Sequence, residues 1–77
     1  MKAFHLLTES EKLVSWIKNY YDPGEVFQTL DLANRLKEDP TQLQFRLRRA
    51  KNQEILGVVL LRVVGSHKKK SWYYKEV

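Results

Sequence analysis

Hydrophobic residues in the first part of the chain recur at helical spacing. One apolar face, at i, i+3, i+4 and i+7, consists of Leu13, Trp16, Ile17 and Tyr20. Such spacing is typical of an amphipathic α-helix. Thr8 is followed three residues later by Glu11, a pair that can satisfy each other's free backbone donors. The pattern predicts a helix from Thr8 to about Tyr20.

A turn signal and a second helical segment follow. Asp22-Pro23-Gly24 ends the first helix, because proline cannot continue the hydrogen-bond ladder and glycine accepts a positive φ. Residues 25–28 read as a short strand. Thr29 is then the expected N-cap of a helix of about eight residues, with an inward face of Leu30, Ala33 and Leu36.

A third helix is predicted from Pro40 to about Asn52, because proline suits the first helical position. Asp39 and Gln42 repeat the capping spacing. The expected buried face consists of Leu43, Leu47 and Ala50. The other face carries Thr41, Gln44, Phe45, Arg48, Arg49 and Lys51.

The pattern becomes extended after residue 54. Residues 55–64, from Ile55 to Val64, are rich in β-branched side chains and predict one strand. Residues 65–70 break it with a glycine and three lysines, and residues 71–77 return to β-type composition. We therefore expect a C-terminal β-hairpin with a basic tip.

Charge divides the chain into two unlike parts. Residues 1–40 hold five basic and seven acidic residues, a net charge of −2, whereas residues 41–77 hold nine basic and two acidic residues, a net charge of +7. Such an asymmetry favours a polyanionic partner, either nucleic acid or an anionic membrane surface.

Length and composition limit the alternatives. With 77 residues and 43% hydrophobic residues, we expect a single folded domain over residues 1–77. The chain has no cysteine, which excludes disulfides and thiolate chemistry and suits a reducing compartment. No apolar stretch reaches the roughly 18 residues of a membrane span, and no secretory signal is evident, so we expect a cytoplasmic protein without membrane attachment.

The predicted elements follow in the order helix, short strand, helix, tight turn, helix and hairpin, and the small and apolar residues of the second and third helices recur at regular positions. These residues are Ala33, Leu36, Leu43, Leu47 and Ala50, and Asp39-Pro40-Thr41-Gln42 lies where the turn meets the next helix. In these residues the chain resembles the winged helix-turn-helix superfamily from Thr8 to Val77. The resemblance implies an α+β fold, a small winged helix with three helices, a short strand between the first two and a C-terminal hairpin wing.

The resemblance also implies a double-stranded DNA interface. It assigns the third helix to the major groove and the basic wing to the backbone or minor groove. The implied DNA-binding residues are Thr41, Gln42, Gln44, Phe45, Arg46, Arg48, Arg49, Lys51, His67, Lys68, Lys69 and Lys70. Gln42 or Gln44 would pair with an adenine edge, and Phe45 would touch a thymine methyl group.

The rotation of the third helix stays open at this point. Phe45 lies where the family usually has a polar or basic residue, and Arg46 lies where many members have an apolar one. In one alternative Phe45 faces outward. In the other, a slightly turned helix buries Phe45 and places Arg46 on the DNA face.

These observations favour a sequence-specific DNA-binding protein, such as a small transcriptional repressor or accessory factor of a phage or mobile element. We expect no enzyme activity and no catalytic residue, because phosphate-binding loops and histidine–carboxylate sets are missing from the sequence. His5 and His67 lack ligand spacing, so no metal site is expected. Neither a cofactor nor a small-molecule ligand is expected.

The alternative function is a winged-helix protein–protein interaction module. Residues 55–64 are apolar on both faces of the predicted strand, and an uncovered apolar face is a liability. A homodimer or another protein partner would then use the apolar hairpin, the aromatic C-terminus and the N-terminal hydrophobic residues. The expected contact residues are Phe4, Leu6, Leu7, Val58, Leu60, Trp72 and Tyr73.

Overall fold

A computed structural model describes residues 7–65 and 70–77. Within these residues the chain has an α+β fold, as predicted, with three helices and four strands. In chain order the elements are α1 (Glu9–Tyr20), β1 (Phe27–Gln28), α2 (Thr29–Leu36), α3 (Pro40–Ala50), β2 (Glu54–Ile55), β3 (Val58–Arg62) and β4 (Ser71–Glu76). None of the helices in this described part is long and apolar enough to cross a bilayer.

The helix starts follow from local side-chain chemistry. Thr8 and Glu11 form the reciprocal capping pair at α1, and the Asp39 carboxylate accepts from the Gln42 backbone N–H at α3. The cap predicted for α2 is wrong, because Gln28 occupies that position and Thr29 is the first helical residue. The Thr29 hydroxyl is used in tertiary hydrogen bonds instead.

The predicted two-stranded hairpin is wrong as a description of the sheet. The described strands form one antiparallel sheet of four, in the order β1-β4-β3-β2. β1 pairs along β4, with Phe27 opposite Trp72, and β2 pairs along β3, with Ile55 opposite Val58. The sheet is therefore wider than the expected hairpin by one short strand on each side.

The predicted single strand over residues 55–64 is interrupted near its start. Leu56 and Gly57 have φ values of 53° and 80°, the left-handed conformation that two-residue hairpin turns require. They fold β2 back onto β3, and β3 ends at Arg62. One predicted strand is therefore two strands joined by a tight turn.

Side chains from all three helices and from the sheet form a common core within the described residues. It consists of Leu13, Val14, Ile17, Tyr21, Phe27, Leu32, Ala33, Leu43, Leu47, Ala50, Val58, Leu60, Trp72 and Tyr74. The predicted buried face of α3 is confirmed. Two other helix faces are rotated: Trp16 is 47% exposed while Val14 is buried, and Leu30 is 58% exposed while Leu32 is buried.

This core also changes the surface expected for a protein partner. Val58, Leu60 and Trp72 are at most 2% exposed, because their face of the sheet packs against the helices, so they are not accessible to a partner. Leu7 is 39% exposed and Tyr73 is half-buried. Phe4 and Leu6 lie outside the described residues.

Candidate nucleic-acid interface

The outward face of α3 follows directly from its buried face. Leu43, Leu47 and Ala50 are fully buried, which fixes the rotation of the helix. Phe45 is consequently 57% exposed, so the alternative in which Phe45 joins the core is wrong. Of the predicted contact residues on α3, Thr41, Gln42, Arg48 and Arg49 are exposed and Gln44 is half-buried.

An open groove of about 490 Å³ lies beside this face. Its walls are the end of β1, the start of α2, the outward side of α3 and the residue before β4. The residues that line it are Gln28, Thr29, Leu30, Pro40, Thr41, Gln44, Phe45, Arg48 and Lys70. We call it the α3 groove.

The α3 groove brings together five residues predicted from the sequence, namely Thr41, Gln44, Phe45, Arg48 and Lys70. Among the described residues that line it, Arg48 and Lys70 are cationic and none is acidic. Leu30 and Phe45 add apolar surface, each more than half exposed. The groove therefore offers positive charge, polar donors and an aromatic ring on one concave surface, a combination suited to a nucleic acid.

Arg46 lies on a different side of α3. Its guanidinium makes ion pairs with Glu38, at the turn before α3, and with Glu9, at the start of α1, where the N–O distance is 3.4 Å. The side chain is only 26% exposed, and its Nε is buried without a partner in the described part of the chain. Arg46 thus joins α3 to the start of α1 and to the turn before α3, and we do not assign it to the interface.

The other predicted cations are more dispersed. Arg49 is exposed near Glu9 and Ser10, away from the α3 groove. Lys51 borders a second depression, beside Leu61 and Tyr73 on the sheet. His67, Lys68 and Lys69 lie outside the described residues. Lys70, the last lysine of the triplet, lies at the groove.

Thr29 is a groove residue that the sequence did not identify as functional. Its hydroxyl accepts a hydrogen bond from Trp72 Nε1 at 2.8 Å and lies 2.7 Å from Gln44 Oε1. Its backbone N–H donates to the Lys70 carbonyl at 2.9 Å. A threonine before an apolar run usually indicates a helix cap, and only the tertiary structure reveals that it links β4 to α3.

A cluster of aromatic and charged groups holds the end of α1 against α2. Tyr21 stacks on Phe27, with ring centroids 4.4 Å apart, and its hydroxyl donates to Asp31. Burial and this carboxylate raise the pKa of Tyr21 to about 12. The hydrogen bond from Tyr21, together with Arg35, lowers the pKa of Asp31, and Asp31 in turn raises the pKa of Arg35. At neutral pH the Tyr21 hydroxyl is therefore neutral, while Asp31 is negatively and Arg35 positively charged, which suits their hydrogen bonds.

Tyr74 fastens the last strand to the same region. Its hydroxyl donates to the Tyr21 carbonyl at 2.5 Å, and its own carbonyl accepts from Gly24 N–H at 2.8 Å. Burial raises the pKa of Tyr74. These bonds support the sheet behind the groove, but none of these groups faces it.

Within residues 7–65 and 70–77, no group of three histidine, cysteine or carboxylate side chains lies close enough to hold a metal ion. The chain matches no known protein family, and neither a curated protein nor a solved structure is significantly similar to it. Its function is therefore inferred from the α3 groove and the distribution of charge.

Proposed function

We propose that the protein binds double-stranded DNA and acts as a small transcriptional regulator, either a repressor or an accessory factor. The observation that carries this proposal is the α3 groove. Arg48 and Lys70 lie there beside the polar side chains of Thr41 and Gln44, and no described acidic residue lines the groove. An exposed helix with cationic neighbours fits the major groove of B-DNA.

A winged-helix arrangement is part of this proposal. The order α1, β1, α2, α3, followed by the antiparallel pair of β3 and β4, supports it. The lysine triplet, Lys68 to Lys70, lies between β3 and β4 in the sequence. In this arrangement α3 would enter the major groove and the segment between the two strands would follow the backbone or the minor groove.

Each side chain then has a distinct task. Thr41, Gln44, Phe45 and Arg48 would face base edges, because they share the outward side of α3. The lysine triplet and His67 would contact phosphates, and Gln42, Arg49 and Lys51, which do not line the groove, would contact phosphates further along the DNA backbone. Regulation would follow from occupancy of the site, without chemical change to the DNA.

Salt dependence of binding tests the proposal. If about four to six phosphates are neutralised, log affinity falls with log salt at a slope of roughly −4 to −5. Fluorescence anisotropy of a labelled duplex between about 50 and 200 mM salt measures this slope. A salt-independent curve, or no binding to any duplex, would defeat the proposal.

Replacing Lys68, Lys69 and Lys70 with alanine separates the lysine triplet from α3. We expect all duplexes to bind more weakly by a similar factor and the salt slope to flatten by about 2 to 3. The matched control replaces Lys12, Lys37 and Lys75, which are exposed and do not line the α3 groove. This control changes net charge equally, so an equal loss of affinity would show that net charge, not the triplet, is responsible.

A protein partner is the second candidate function. Its support is the face of the sheet turned away from the core, where Leu61 lies opposite Tyr73 and both are half-buried. Val59 belongs to the same face. This apolar surface is smaller than the sequence predicted, because Val58, Leu60 and Trp72 belong to the core. Sedimentation of the wild type and of Leu61→Lys distinguishes a dimer closed by this face from a monomer.

A further inference from the structure

A buried chain of hydrogen bonds connects the sheet to the α3 groove. Trp72 is fully buried, and its Nε1 lies 2.8 Å from the Thr29 hydroxyl oxygen. Thr29 is 5% exposed, and the same oxygen lies 2.7 Å from Gln44 Oε1. The chain therefore runs from β4 through the start of α2 to a side chain on the outward face of α3.

The direction of the Trp72–Thr29 bond is fixed by the chemistry of the groups. An indole N–H can only donate, so the Thr29 oxygen must accept from Trp72. The hydroxyl has one proton left to donate, and it has two acceptors within reach. Gln44 Oε1 is at 2.7 Å, whereas the Lys70 carbonyl is at 3.4 Å and already accepts the Thr29 backbone N–H. The shorter bond determines the choice.

This choice orients the Gln44 amide. Because the amide oxygen is turned toward Thr29, the amide nitrogen Nε2 is the atom left to meet a ligand in the α3 groove. Nε2 carries two hydrogens and can only donate. Arg48 and Lys70, which line the same groove, are also donors only. The groove is therefore suited to a ligand edge that presents acceptors.

We propose, on the basis of the proposed DNA-binding function, that Thr29 is a positioning residue that makes Gln44 select guanine. Guanine presents two acceptors in the major groove, O6 and N7. Bidentate adenine recognition needs the glutamine oxygen to accept from adenine N6, and this oxygen already accepts from the buried Thr29 hydroxyl, so adenine would have to share it. Cytosine presents a donor and is disfavoured. In this proposal guanine takes the place of the adenine that the sequence analysis expected for Gln42 or Gln44.

The experiment uses the full chain and a duplex site obtained by selection from random DNA. Gln44→Ala identifies the base pair that Gln44 contacts, as the position whose preference disappears. Four duplexes that differ only there are then compared by anisotropy. We expect the wild type to bind the guanine duplex about tenfold more tightly than the adenine duplex, within the usual range for one base contact.

Thr29→Val and Thr29→Ser separate the hydroxyl from the shape of the side chain. Valine removes the hydroxyl and frees the Gln44 amide to turn, so we expect the adenine duplex to bind as well as the guanine duplex. The readout is the ratio of the guanine and adenine affinities within each variant. Serine keeps the hydroxyl and should restore the preference for guanine.

Gln44→Glu gives a second test that leaves Thr29 intact. A carboxylate still accepts from Thr29 but presents only acceptors to the DNA, so the preference should move from guanine to cytosine while overall affinity falls. This variant tests the guanine contact of Gln44 by a route that does not depend on the folding of Thr29→Val. Persistence of the guanine preference in Gln44→Glu would then overturn the inference.

The outcomes separate this inference from the function on which it rests. If the wild type binds no duplex, the DNA-binding proposal itself fails. If it binds DNA but prefers adenine at the contacted position, or has no preference that depends on Gln44, only the role of Thr29 is overturned. Retention of the guanine preference in folded Thr29→Val leads to the same conclusion.

Discussion

Phe45 and Arg46 are neighbours on α3, yet their side chains lie on different sides of it: Phe45 is 57% exposed at the α3 groove, and Arg46 is ion-paired to Glu38 and Glu9. The difference follows from the burial of Leu43 and Leu47, which fixes the helix rotation. Arg46 therefore contributes to the stability of the fold, and Arg48 is the arginine that lines the groove.

Arg46→Ala should weaken folding without changing the intrinsic affinity for DNA. The ion pairs are partly sheltered, so we expect a loss of about 1 kcal/mol in the free energy of unfolding. For a domain of this size that corresponds to a fall in Tm of about 4–8 °C. Thermal unfolding by circular dichroism measures it, and an unchanged Tm would show that the ion pairs do not stabilise the fold.

Arg48→Ala should weaken DNA binding without changing the stability of the fold. Arg48 is exposed and lines the α3 groove, so its loss should leave the Tm within about 1 °C while weakening the preferred duplex by about 1–3 kcal/mol. Anisotropy titrations of both variants on the same duplex provide the comparison. If Arg46→Ala reduces the affinity of the folded protein more than Arg48→Ala does, the assignment of the interface to the α3 groove is wrong.

Tyr21 should make stability fall at alkaline pH. Its pKa is raised to about 12 in the folded protein, from an ordinary value near 10. The neutral Tyr21 hydroxyl stabilises the folded protein by on the order of 2–3 kcal/mol at pH values below the pKa that Tyr21 has in the unfolded chain. This stabilisation is lost as the pH rises through the pKa of Tyr21 in the folded protein, about 12. Urea unfolding from about pH 9 to pH 12 should show a steeper loss for the wild type than for Tyr21→Phe. Parallel profiles would mean that the Tyr21 hydroxyl is not perturbed.

Leu56→Asn should stabilise the protein by about 0.5–1 kcal/mol. Leu56 has a φ of 53°, a backbone conformation that asparagine tolerates better than leucine. The Leu56 side chain is 40% exposed, so replacing it removes only moderate apolar burial. Leu56→Ala is the matched control, because it shortens the side chain and keeps the unfavourable φ. Denaturant unfolding should order the three proteins with asparagine as the most stable. Equal loss in both variants would contradict a turn at Leu56-Gly57.

Local signals predicted the helix boundaries well. The Thr8–Glu11 pair and the Asp39–Pro40 junction need only residues a few positions apart, and both start helices as expected. The sequence also predicted Leu43, Leu47 and Ala50 as the buried face of α3, but it left open whether Phe45 joined them. For α1 the sequence predicted Trp16 on the apolar face, whereas packing against the rest of the core buries Val14 and leaves Trp16 exposed.

The remaining features depend on contacts between distant residues. The turn at Leu56-Gly57 lacks the usual asparagine or aspartate before glycine, so an uninterrupted strand was the simpler prediction. The partners of Thr29 are 15 and 43 positions away, and no periodicity reveals them. For the interface, the family resemblance implied five of the nine residues that line the α3 groove, but not the hydrogen bond between Thr29 and Gln44.

Selection of bound sequences from random duplex DNA tests the central claim most directly. We expect the wild type to enrich a short motif, because α3 presents several side chains to base edges, and Arg48→Ala to alter that motif while the Lys68–Lys70 variant leaves it unchanged. A palindromic motif would also indicate two-fold symmetry. An unenriched pool, or no retained DNA, would contradict sequence-specific binding through the α3 groove.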